Sequence, residues 1–333
     1  MTTRIGINGF GSIGRRFFRI AQGRKDLEVV GINDLTDAVT LAHLLKYDSN
    51  YGAFPGTVKA LDGAIEVDGR RIPIIAERDP AALPWKDLGV DIAVECTGRF
   101  TKGGKARAHL DAGARRVVIS APAEGEDLTV VLGVNDDRFD PAVHRVISNA
   151  SCTTNCLAPL VKVLDDAFGV ETGLMNTIHS YTNDQVILDA PHKDLRRARA
   201  AATNIIPTTT GAAKTVAVVI PHLKGRLNGL SFRVPTPVVS VVDFTAVLKR
   251  PADARTVNDA LRQASQGPLA RIVGYLEEPV VSMDLKGDSH SAIVDGLSTM
   301  SIGSLTKVVA WYDNEWGYST RLVDLCELVG RAR

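Results

Sequence analysis

Short apolar runs alternate with helix-like patterns along the first third of the chain. The runs RIGING, LEVVGIND, DIAVECTG and RRVVISAP are separated by segments such as SIGRRFFRIAQ and KARAHLDAGA, which have helical patterns. Alternation of strand and helix is typical of βαβ units and predicts a parallel sheet. Residues 57–75 differ, because two turn signals, LDGA and VDGR, lie between strand-like segments and predict inserted antiparallel strands.

The pattern changes from about residue 170. Long alternating runs such as GLSFRVPTPVVSVVDFTAVL and LTKVVAWYD, separated by helical segments such as ADARTVNDALRQAS, predict an antiparallel sheet covered by helices. Near the end, Leu322, Leu325, Cys326 and Val329 recur at helical spacing and predict an amphipathic helix. The predicted fold class is α/β: a doubly wound parallel sheet, followed by an α+β domain with a mostly antiparallel sheet.

Length and composition exclude several classes of protein. A chain of 333 residues exceeds the size at which one hydrophobic core keeps growing, so two domains are expected. With 45% hydrophobic and 23% charged residues, and no apolar run near the ~20 residues that span a bilayer, we predict a soluble protein without membrane association. The N-terminus has no signal-peptide pattern and four cysteines do not make a disulfide framework, so we expect a cytoplasmic location. The formal charge of +1 predicts no binding to nucleic acid.

The stretch INGFGSIGRR has the spacing of a dinucleotide-binding loop. It places Gly9, Gly11 and Gly14 in a GxGxxG pattern directly after a predicted strand, and Asp34 follows Gly14 by twenty residues. The glycines allow a tight turn, close approach of the backbone to a pyrophosphate, and close packing of helix on strand. Asp34 can accept hydrogen bonds from ribose hydroxyls and repels a 2′-phosphate, so we predict a Rossmann-type domain that binds NAD in preference to NADP. A glycine-rich turn without a nucleotide is the alternative.

The stretch SNASCTTNC contains a cysteine among small polar residues, just before an apolar run. At a helix start, the backbone N–H groups and the macrodipole would favour a thiolate, so Cys152 is a candidate nucleophile. His179, at the end of a predicted strand, is its candidate base, while the other histidines lie in contexts where a structural role is simpler. Cys156 follows one helical turn later, but without a second cysteine or histidine pair we predict no metal site.

Several longer motifs occur together and in order. They are ASCTTNC, HSYTNDQ, DLRRARAAATNIIPTTTGAAK, RVPTPVVSVVDF and WYDNEWGYS. With them the chain closely resembles the glyceraldehyde-3-phosphate dehydrogenase family over essentially its whole length. The resemblance implies an NAD-binding domain at 1–150 completed by a C-terminal helix at 315–333, and a catalytic domain at 151–314 with an S-shaped loop at about 181–204. It also implies a homotetramer, in which this loop lies near the cofactor of a neighbouring subunit.

The resemblance implies a reaction and a set of site residues. The reaction is the phosphorylating oxidation of D-glyceraldehyde 3-phosphate to 1,3-bisphosphoglycerate with NAD, through a hemithioacetal and a thioester on Cys152, with His179 as base. The residues implied to bind the cofactor are Gly9, Phe10, Gly11, Ser12, Ile13, Gly14, Asp34, Arg78, Ser120 and Asn314. Those implied to bind the attacking inorganic phosphate are Ser151, Thr153, Thr210 and Gly211, and those implied for the phosphate of the substrate are Thr182, Arg197 and Arg233.

Two positions depart from the commonest pattern of the family. Ser12 stands where an arginine is frequent, and Ala190 stands where NAD-specific members often have leucine and NADP-using members often have alanine. Pro191 and Leu35 match the NAD type, so we expect NAD with poorer use of NADP. Two alternatives remain: an erythrose-4-phosphate dehydrogenase, which the segment HSAIVDG resembles a little, and a binding or redox-sensing protein that uses Cys152 as an oxidisable thiol.

Overall fold

The structure, a computed structural model, describes residues 2–332. The chain forms two compact units. The first comprises the chain up to Val130, Asp137–Ala150 and the chain from Ser319, and the second comprises Val131–Asp136 and Ser151–Tyr318. None of the helices in this described part of the chain is long and apolar enough to cross a membrane.

The first unit contains a nine-stranded sheet among the described residues. Its strands are β1 (Thr3–Asn8), β2 (Leu27–Asn33), β3 (Val58–Leu61), β4 (Ala64–Val67), β5 (Arg70–Ile75), β6 (Ile92–Glu95), β7 (Arg116–Ile119), β8 (Leu128–Thr129) and β9 (Val146–Ser148). Their order is β3-β4-β5-β2-β1-β6-β7-β9-β8. Pairs β3–β4 and β4–β5 are antiparallel and the other neighbours are parallel, which confirms the parallel sheet with inserted antiparallel strands.

The helices that accompany this sheet include α1 (Ser12–Ala21), α2 (Ala38–Lys46), α3 (Gly103–Ala106) and α4 (Ala108–Asp111), and most of the last helix of the chain belongs to the same unit. The central strands are apolar and almost wholly buried, as expected for parallel strands covered on both faces. Helix α1 buries Phe17 and Phe18 and also Arg16, whose guanidinium pairs with Asp48 at 3.0 Å.

The second unit contains an eight-stranded sheet. Its strands are β10 (Val170–Ser180), β11 (Ile206–Thr209), β12 (Leu227–Val234), β13 (Ser240–Leu248), β14 (Val273–Leu276), β15 (Ala292–Asp295), β16 (Met300–Ile302) and β17 (Leu305–Tyr312). The order is β11-β12-β10-β13-β17-β15-β14, with β16 beside β17. Only β10–β12 and β14–β15 are parallel among the described pairs, which confirms a mostly antiparallel sheet.

The helices that follow in the chain are α5 (Cys152–Phe168), α6 (Ala212–Val219), α7 (Ala254–Gln266) and α8 (Trp316–Arg331). Every second residue of β13 is buried, because one face of this sheet is covered by helices, α5 among them. Helix α5 is therefore held along one side, and its first turn is fixed at the end of the sheet.

Helix α8 differs from the amphipathic helix predicted at the end of the chain. Leu322, Leu325, Cys326 and Val329 are fully buried as expected, but Arg321, Val323 and Glu327 are buried as well. The buried charge is compensated, because Arg321 lies 2.6 Å from Asp324, which also pairs with Arg24 at 2.8 Å. Ion pairing thus allows a face that reads as polar in the sequence to be buried.

Candidate active site

A cavity of about 430 Å³ lies in the first unit, at the carboxyl ends of β1, β2 and β6. The strand order reverses between β1 and β6, and open α/β sheets bind ligands at such a point. The residues that line the cavity are Asn8, Gly9, Gly11, Asn33, Asp34, Leu35, Thr36, Glu77, Arg78, Cys96, Thr97, Arg99 and Phe100. The structure therefore brings together Gly9, Gly11, Asp34 and Arg78 of the predicted cofactor-binding set.

The glycine loop has a separate requirement at each glycine. Gly9 has a φ of +93°, and a Cβ there would lie 2.8 Å from the backbone nitrogen of Thr97. A Cβ at Gly14 would lie 2.2 Å from the carbonyl oxygen of Gly9, so only glycine lets α1 pack this close. Gly11 caps α1 without a side-chain hydrogen bond, and a Cβ there would meet nothing within 4 Å. An anion can therefore approach the N-terminus of α1.

Asp34 is held at the edge of the cavity by two backbone hydrogen bonds. Its Oδ2 accepts from the Phe10 N–H at 2.7 Å, and its Oδ1 accepts from the Thr36 N–H at 3.0 Å. Each carboxylate oxygen retains a further acceptor site for a ribose hydroxyl. The carboxylate, the open helix start and the close glycine backbone together fit the adenosine and pyrophosphate of a dinucleotide.

Other predicted cofactor residues lie elsewhere in this unit. The Phe10 side chain is fully buried with its ring 5.7 Å from that of Phe18, so only its backbone belongs to the loop. The Ser12 hydroxyl accepts from Arg16 at 3.0 Å, and Ile13 and Gly14 continue into α1. Ser120 follows β7 and donates its N–H to the carbonyl of Glu95.

The second unit presents a thiol at the start of a helix. Ser151 caps α5, since its hydroxyl accepts from the Thr154 N–H at 3.0 Å, and Cys152 is the first helical residue. The helix start predicted from the small polar residues is thereby confirmed. The Cys152 sulfur lies 3.4 Å from Nε2 of His179, at the end of β10. His179 Nδ1 lies 2.6 Å from the Ser180 carbonyl oxygen and 3.1 Å from Nη1 of Arg233. The carbonyl oxygen is the closer partner and can only accept, so Nδ1 donates to it and the Nε2 lone pair faces the sulfur.

Arg233 lies beside this pair on the parallel neighbour β12, in register with His179. Its Nη1 lies 3.1 Å from His179 Nδ1 and donates to the carbonyl oxygen of Ser180 at 3.2 Å and to the Thr182 hydroxyl at 3.3 Å. The structure thus brings Cys152, His179, Thr182 and Arg233 together. A guanidinium beside a hydroxyl is suited to binding a phosphate.

Burial opposes the thiolate that the helix start favours. Burial, and then the charge of Arg233, lower the pKa of His179 to about 3. Burial raises the pKa of the Cys152 thiol, and Arg233 and hydrogen bonds from Thr153 offset only part of that effect. Desolvation thus disfavours the charged forms of both groups, and at the thiol it opposes the helix start and the nearby cation.

The remaining predicted phosphate residues have other partners. Arg197 donates to the Thr208 hydroxyl at 2.9 Å and pairs with Asp184. The Thr210 hydroxyl accepts from the Ala212 N–H at 3.2 Å, and Gly211 caps α6. Thr210 and Gly211 thus form a second helix start. Ser151 contributes a hydroxyl at the cap of α5.

A buried tyrosine and an ordered amide also belong to this unit. The Tyr312 hydroxyl lies 2.9 Å from the Thr153 hydroxyl and 2.7 Å from that of Thr177, and its ring stands edge-on to His179 with centroids 5.9 Å apart. Asn314 Oδ1 accepts from the Ser240 hydroxyl at 2.9 Å, which orients the amide. The contact between Thr153 and the buried Tyr312 therefore holds the first turn of α5 against the sheet.

Comparison with known proteins decides the family. Residues 3–103 match the model for the glyceraldehyde 3-phosphate dehydrogenase NAD binding domain, and residues 151–314 match that for the C-terminal domain. The chain is 59% identical to the glyceraldehyde-3-phosphate dehydrogenase of Geobacillus stearothermophilus over 99% of this chain and 98% of the relative. It is 58% identical to that of Mycobacterium avium over the full length of both, and 57% identical to glyceraldehyde-3-phosphate dehydrogenase 1 of Bacillus subtilis over 99% of both. The chain belongs to the glyceraldehyde-3-phosphate dehydrogenase family.

Membership of the glyceraldehyde-3-phosphate dehydrogenase family confirms the resemblance drawn from the motifs, and the NAD-binding domain confirms NAD as the cofactor. Ala190, one of the two departures from the family pattern, is held by its backbone, since its N–H donates to the Ala198 carbonyl at 3.0 Å. The preceding Asp189 pairs with Arg199 at 2.9 Å. A larger side chain at 190 is thus compatible with the local hydrogen bonds, because they use only the backbone there.

Sequence reasoning missed three contributors to the glyceraldehyde-3-phosphate dehydrogenase site. Tyr312 lies in an apolar strand, VVAWY, where an aromatic residue predicts core packing. Ser240 gives no signal beyond a polar residue at a strand start. Glu95, at the end of β6, carries a detectable signal, because an acid that closes an apolar parallel strand lies at the ligand-binding edge of the sheet.

Proposed function

We propose that this protein catalyses the NAD-dependent, phosphorylating oxidation of D-glyceraldehyde 3-phosphate to 1,3-bisphosphoglycerate, in glycolysis and gluconeogenesis. The observation that carries the proposal is the 3.4 Å separation of the Cys152 sulfur from Nε2 of His179, with the imidazole oriented by the Ser180 carbonyl. A thiol whose proton can pass to an adjacent neutral imidazole is an activated nucleophile. The family of the chain supports the same reaction.

In the first step, the Cys152 sulfur attacks the aldehyde carbon and the C=O π bond opens. The thiol proton passes through His179 Nε2 to the former carbonyl oxygen, which gives a hemithioacetal. His179 Nε2 accepts the hydroxyl proton of the hemithioacetal as the carbon loses its hydride, which leaves a thioester on Cys152. Bound NAD supplies the acceptor for that hydride. An oxygen of inorganic phosphate then attacks the thioester carbonyl, the carbon–sulfur bond breaks, and the Cys152 thiolate departs and recovers a proton from His179.

The phosphate groups are assigned to two sets of donors. We assign Thr182, Arg233 and Arg197 to the phosphate of the substrate, supported by the Arg233–Thr182 contact of 3.3 Å beside the thiol. We assign the attacking phosphate to Ser151, Thr153, Thr210 and Gly211, which lie at the starts of α5 and α6. Helix starts suit an anion because their first N–H groups point at it. In this assignment Thr153 acts through its backbone, since its hydroxyl contacts Tyr312.

The cofactor is assigned to the cavity of the first unit and to Asn314. The pyrophosphate is assigned to Gly9, Gly11 and the start of α1, whose backbone N–H groups can donate to it. Asp34 accepts hydrogen bonds from the ribose hydroxyls, and Arg78 lines the adenosine side. We assign Asn314 to the nicotinamide carboxamide, supported by the Ser240 hydrogen bond that orients its amide. We also assign five further residues to the cofactor site: Phe10, Ser12, Ile13, Gly14 and Ser120.

A phosphate-omission experiment tests the proposed order of steps. Enzyme mixed with NAD and aldehyde, but without phosphate, should release a burst of NADH close to one per active subunit and then nearly stop, because the acyl group remains on Cys152. Adding phosphate should restore steady turnover. Thr210→Ala should raise the KM for phosphate more than the KM for aldehyde. Fast turnover to a free acid without phosphate contradicts the proposal and favours a non-phosphorylating enzyme or the erythrose-4-phosphate reaction.

We also propose a cytoplasmic homotetramer. The sheet of the second unit exposes apolar side chains: Leu174 is 67% exposed on β10 and Ile302 is 81% exposed on β16. In the loop 181–204, Ile187 is 83% exposed. Side chains of this kind favour burial against further copies. Light scattering should give about four times the 35.7 kDa of one chain, and Ile302→Glu should lower that mass. A monomer at all concentrations contradicts the tetramer.

A further inference from the structure

A buried carboxylate, that of Glu95, organises the edge of the sheet at the cofactor cavity. Glu95 ends β6, and its side chain has no exposed surface. Its Oε1 accepts from the Thr97 N–H at 2.7 Å and also from the Thr97 hydroxyl. Its Oε2 accepts from Nδ2 of Asn8 at 2.6 Å and lies 3.1 Å from Nε2 of His109. Both oxygens are therefore fully used by donors from three different segments.

The indole of Trp85 fixes the tautomer of His109. Its Nε1–H can only donate, and it lies 3.0 Å from His109 Nδ1, which must therefore be the acceptor. The imidazole proton consequently sits on Nε2 and points at Glu95. Three of the four groups around the carboxylate, the Thr97 N–H, the Asn8 Nδ2 and the His109 Nε2–H, can only donate, so the surroundings suit a group that accepts hydrogen bonds.

The hydrogen bonds continue from Glu95 into the wall of the cavity. Asn8 Oδ1 accepts from Nδ2 of Asn33 at 2.7 Å. The amide of Asn33 in turn bonds the Glu77 backbone twice, to its carbonyl and from its N–H, each at 2.9 Å. Asn8, Asn33, Glu77 and Thr97 all line the cavity. The carboxylate orients the amide of Asn8, and the Glu77 backbone orients that of Asn33 to donate to it.

Thr97 connects the same carboxylate to the glycine loop. The Thr97 backbone nitrogen lies 2.8 Å from where a Cβ of Gly9 would stand, so the loop rests directly on the segment that Glu95 holds. The Gly9 N–H donates to the Asn33 carbonyl at 2.8 Å, so the glycine loop is also bonded to the residue that contacts Asn8 in the cavity wall. A shift of Thr97 or Asn8 would therefore move the backbone that receives the pyrophosphate.

We propose that Glu95 is a positioning residue for cofactor binding. Its ionised carboxylate, with His109 as an oriented donor, holds Asn8 and Thr97 so that the glycine loop and the cavity wall keep the shape that receives the dinucleotide. Glu95 and His109 act through these neighbours, since neither is among the described residues that line the cavity. The inference rests on the proposed function only in taking NAD as the ligand.

Exchanging the donor and acceptor between two residues tests the proposal. Glu95→Gln places an amide N–H₂ against donors, and we expect the Kd for NAD, measured by calorimetry, to rise by about tenfold or more. Asn8→Asp places a second carboxylate where Nδ2 stands 2.6 Å from Oε2, and binding should weaken further.

In the double variant, which combines Glu95→Gln with Asn8→Asp, the carboxylate introduced at position 8 can accept from the new amide. It can also accept from His109 Nε2, which lies 3.5 Å from Nδ2 of Asn8. The Kd should then return to within about threefold of the wild-type value. A double variant that binds NAD no better than Asn8→Asp alone overturns the proposal.

A matched pair at His109 keeps the test independent of folding defects at Glu95. His109→Gln retains a donor for the carboxylate, whereas His109→Leu fills the buried space without one. We expect hydrogen exchange of residues 96–99, measured without NAD, to quicken in His109→Leu and to stay near wild type in His109→Gln, with the Kd for NAD following the same order. A role in packing alone predicts the opposite order, and equal values for both variants also overturn the proposal.

NAD binding by the wild-type protein distinguishes a failure of the proposed function from a failure of the role of Glu95. Wild-type protein that binds no NAD contradicts the proposed function itself, whereas wild type that binds NAD alongside a Glu95→Gln variant of equal affinity contradicts only the role of Glu95. The KM for glyceraldehyde 3-phosphate should change less than about twofold in Glu95→Gln, because the substrate site belongs to the second unit. A KM for the aldehyde that rises as much as the KM for NAD contradicts the positioning role.

Discussion

Each unit pairs an acidic group with a histidine, and the two histidines are in opposite tautomers. In the first unit, His109 Nδ1 accepts from the Trp85 indole, so Nε2 carries the proton and donates to the Glu95 carboxylate. In the second, His179 Nδ1 donates to the Ser180 carbonyl, so Nε2 carries a lone pair and faces the Cys152 thiol. The partner of the distant ring nitrogen thus decides the role of the imidazole. Where a neighbour donates to Nδ1, as at His109, Nε2 carries the proton and donates to an anion. Where Nδ1 itself donates to a neighbour, as at His179, Nε2 has a lone pair and can act as a base.

The surroundings reinforce this difference. The Glu95 carboxylate has donors on both oxygens and no exposed surface, which suits a fixed structural charge. The Cys152 side chain keeps some exposed surface, but most of its surroundings are protein, and this desolvation raises the pKa of its thiol. Its proton is therefore retained until the neutral His179 removes it during the reaction.

Removing the thiol should have the largest effect. Cys152→Ala should lower kcat by about 10⁴-fold or more, because no other group in the cluster can form the thioester. NAD binding should persist, since the glycine loop and Asp34 lie in the first unit. Steady-state NADH formation and calorimetry with NAD measure the two quantities. The matched control is Cys156→Ala, one helical turn later and fully buried, which should keep kcat within about threefold. Substantial turnover by Cys152→Ala would refute the thioester mechanism.

Converting the second histidine to a donor should have the next largest effect. His179→Gln places an amide near the sulfur, and an amide N–H₂ cannot accept the thiol proton, so kcat should fall by about 10³-fold. Alkylation of Cys152 by iodoacetamide at neutral pH should slow for the same reason. His222→Gln, at an exposed histidine paired with Asp165, is the control and should leave both rates within about twofold. Equal alkylation rates in wild type and His179→Gln would show that another group activates the thiol.

Much of this fold follows from the sequence, because its signals are local. Alternating apolar runs identify the strands, the GxGxxG spacing identifies the dinucleotide loop, and the small polar residues before an apolar run identify the start of α5. The pairing of Cys152 with His179 was also predicted, and the structure brings their reactive atoms together. The effect of burial on the Cys152 thiol has no such local signal, because burial depends on the tertiary structure.

The buried polar network at the cofactor edge could not be predicted in the same way. Glu95, His109 and Trp85 lie on three segments that meet only when the sheet and its helices are packed. The tautomer of each histidine depends on one atom of a neighbouring group, which no spacing in the sequence reports. Helix α8 gives a third case, since burial of Arg321 requires Asp324 to be held by Arg24 from another element.

Removing the guanidinium beside His179 should have an intermediate effect. Arg233→Met should lower kcat/KM by about 100-fold through the lost contact with the substrate phosphate. Burial raises the pKa of the Cys152 thiol and Arg233 opposes it, so the variant should raise that pKa further and move the alkylation curve to higher pH. The pKa of His179, held at about 3 by burial and then by Arg233, should also rise, so the imidazole becomes charged at a higher pH than in wild type. The exposed Arg226→Met is the control, and an alkylation curve that moves to lower pH contradicts the role of Arg233.

The smallest effect on activity is expected at Tyr312. Its buried hydroxyl is held by hydrogen bonds to two threonines, as the Glu95 carboxylate is held by its donors. Tyr312→Phe removes a hydroxyl that bridges Thr153 and Thr177 and leaves two buried threonine hydroxyls short of a partner. The free energy of unfolding in urea should fall by about 1–3 kcal/mol. The value of kcat should fall less than about tenfold, since the Tyr312 hydroxyl is bonded to threonines rather than to the sulfur or to Nε2 of His179.

Adding Thr177→Val to Tyr312→Phe should lower the free energy of unfolding by less than the sum of the two single changes, because both remove the same contact. A loss of kcat as large as that of His179→Gln, with unchanged stability, would instead give this hydroxyl a place in the proton transfer.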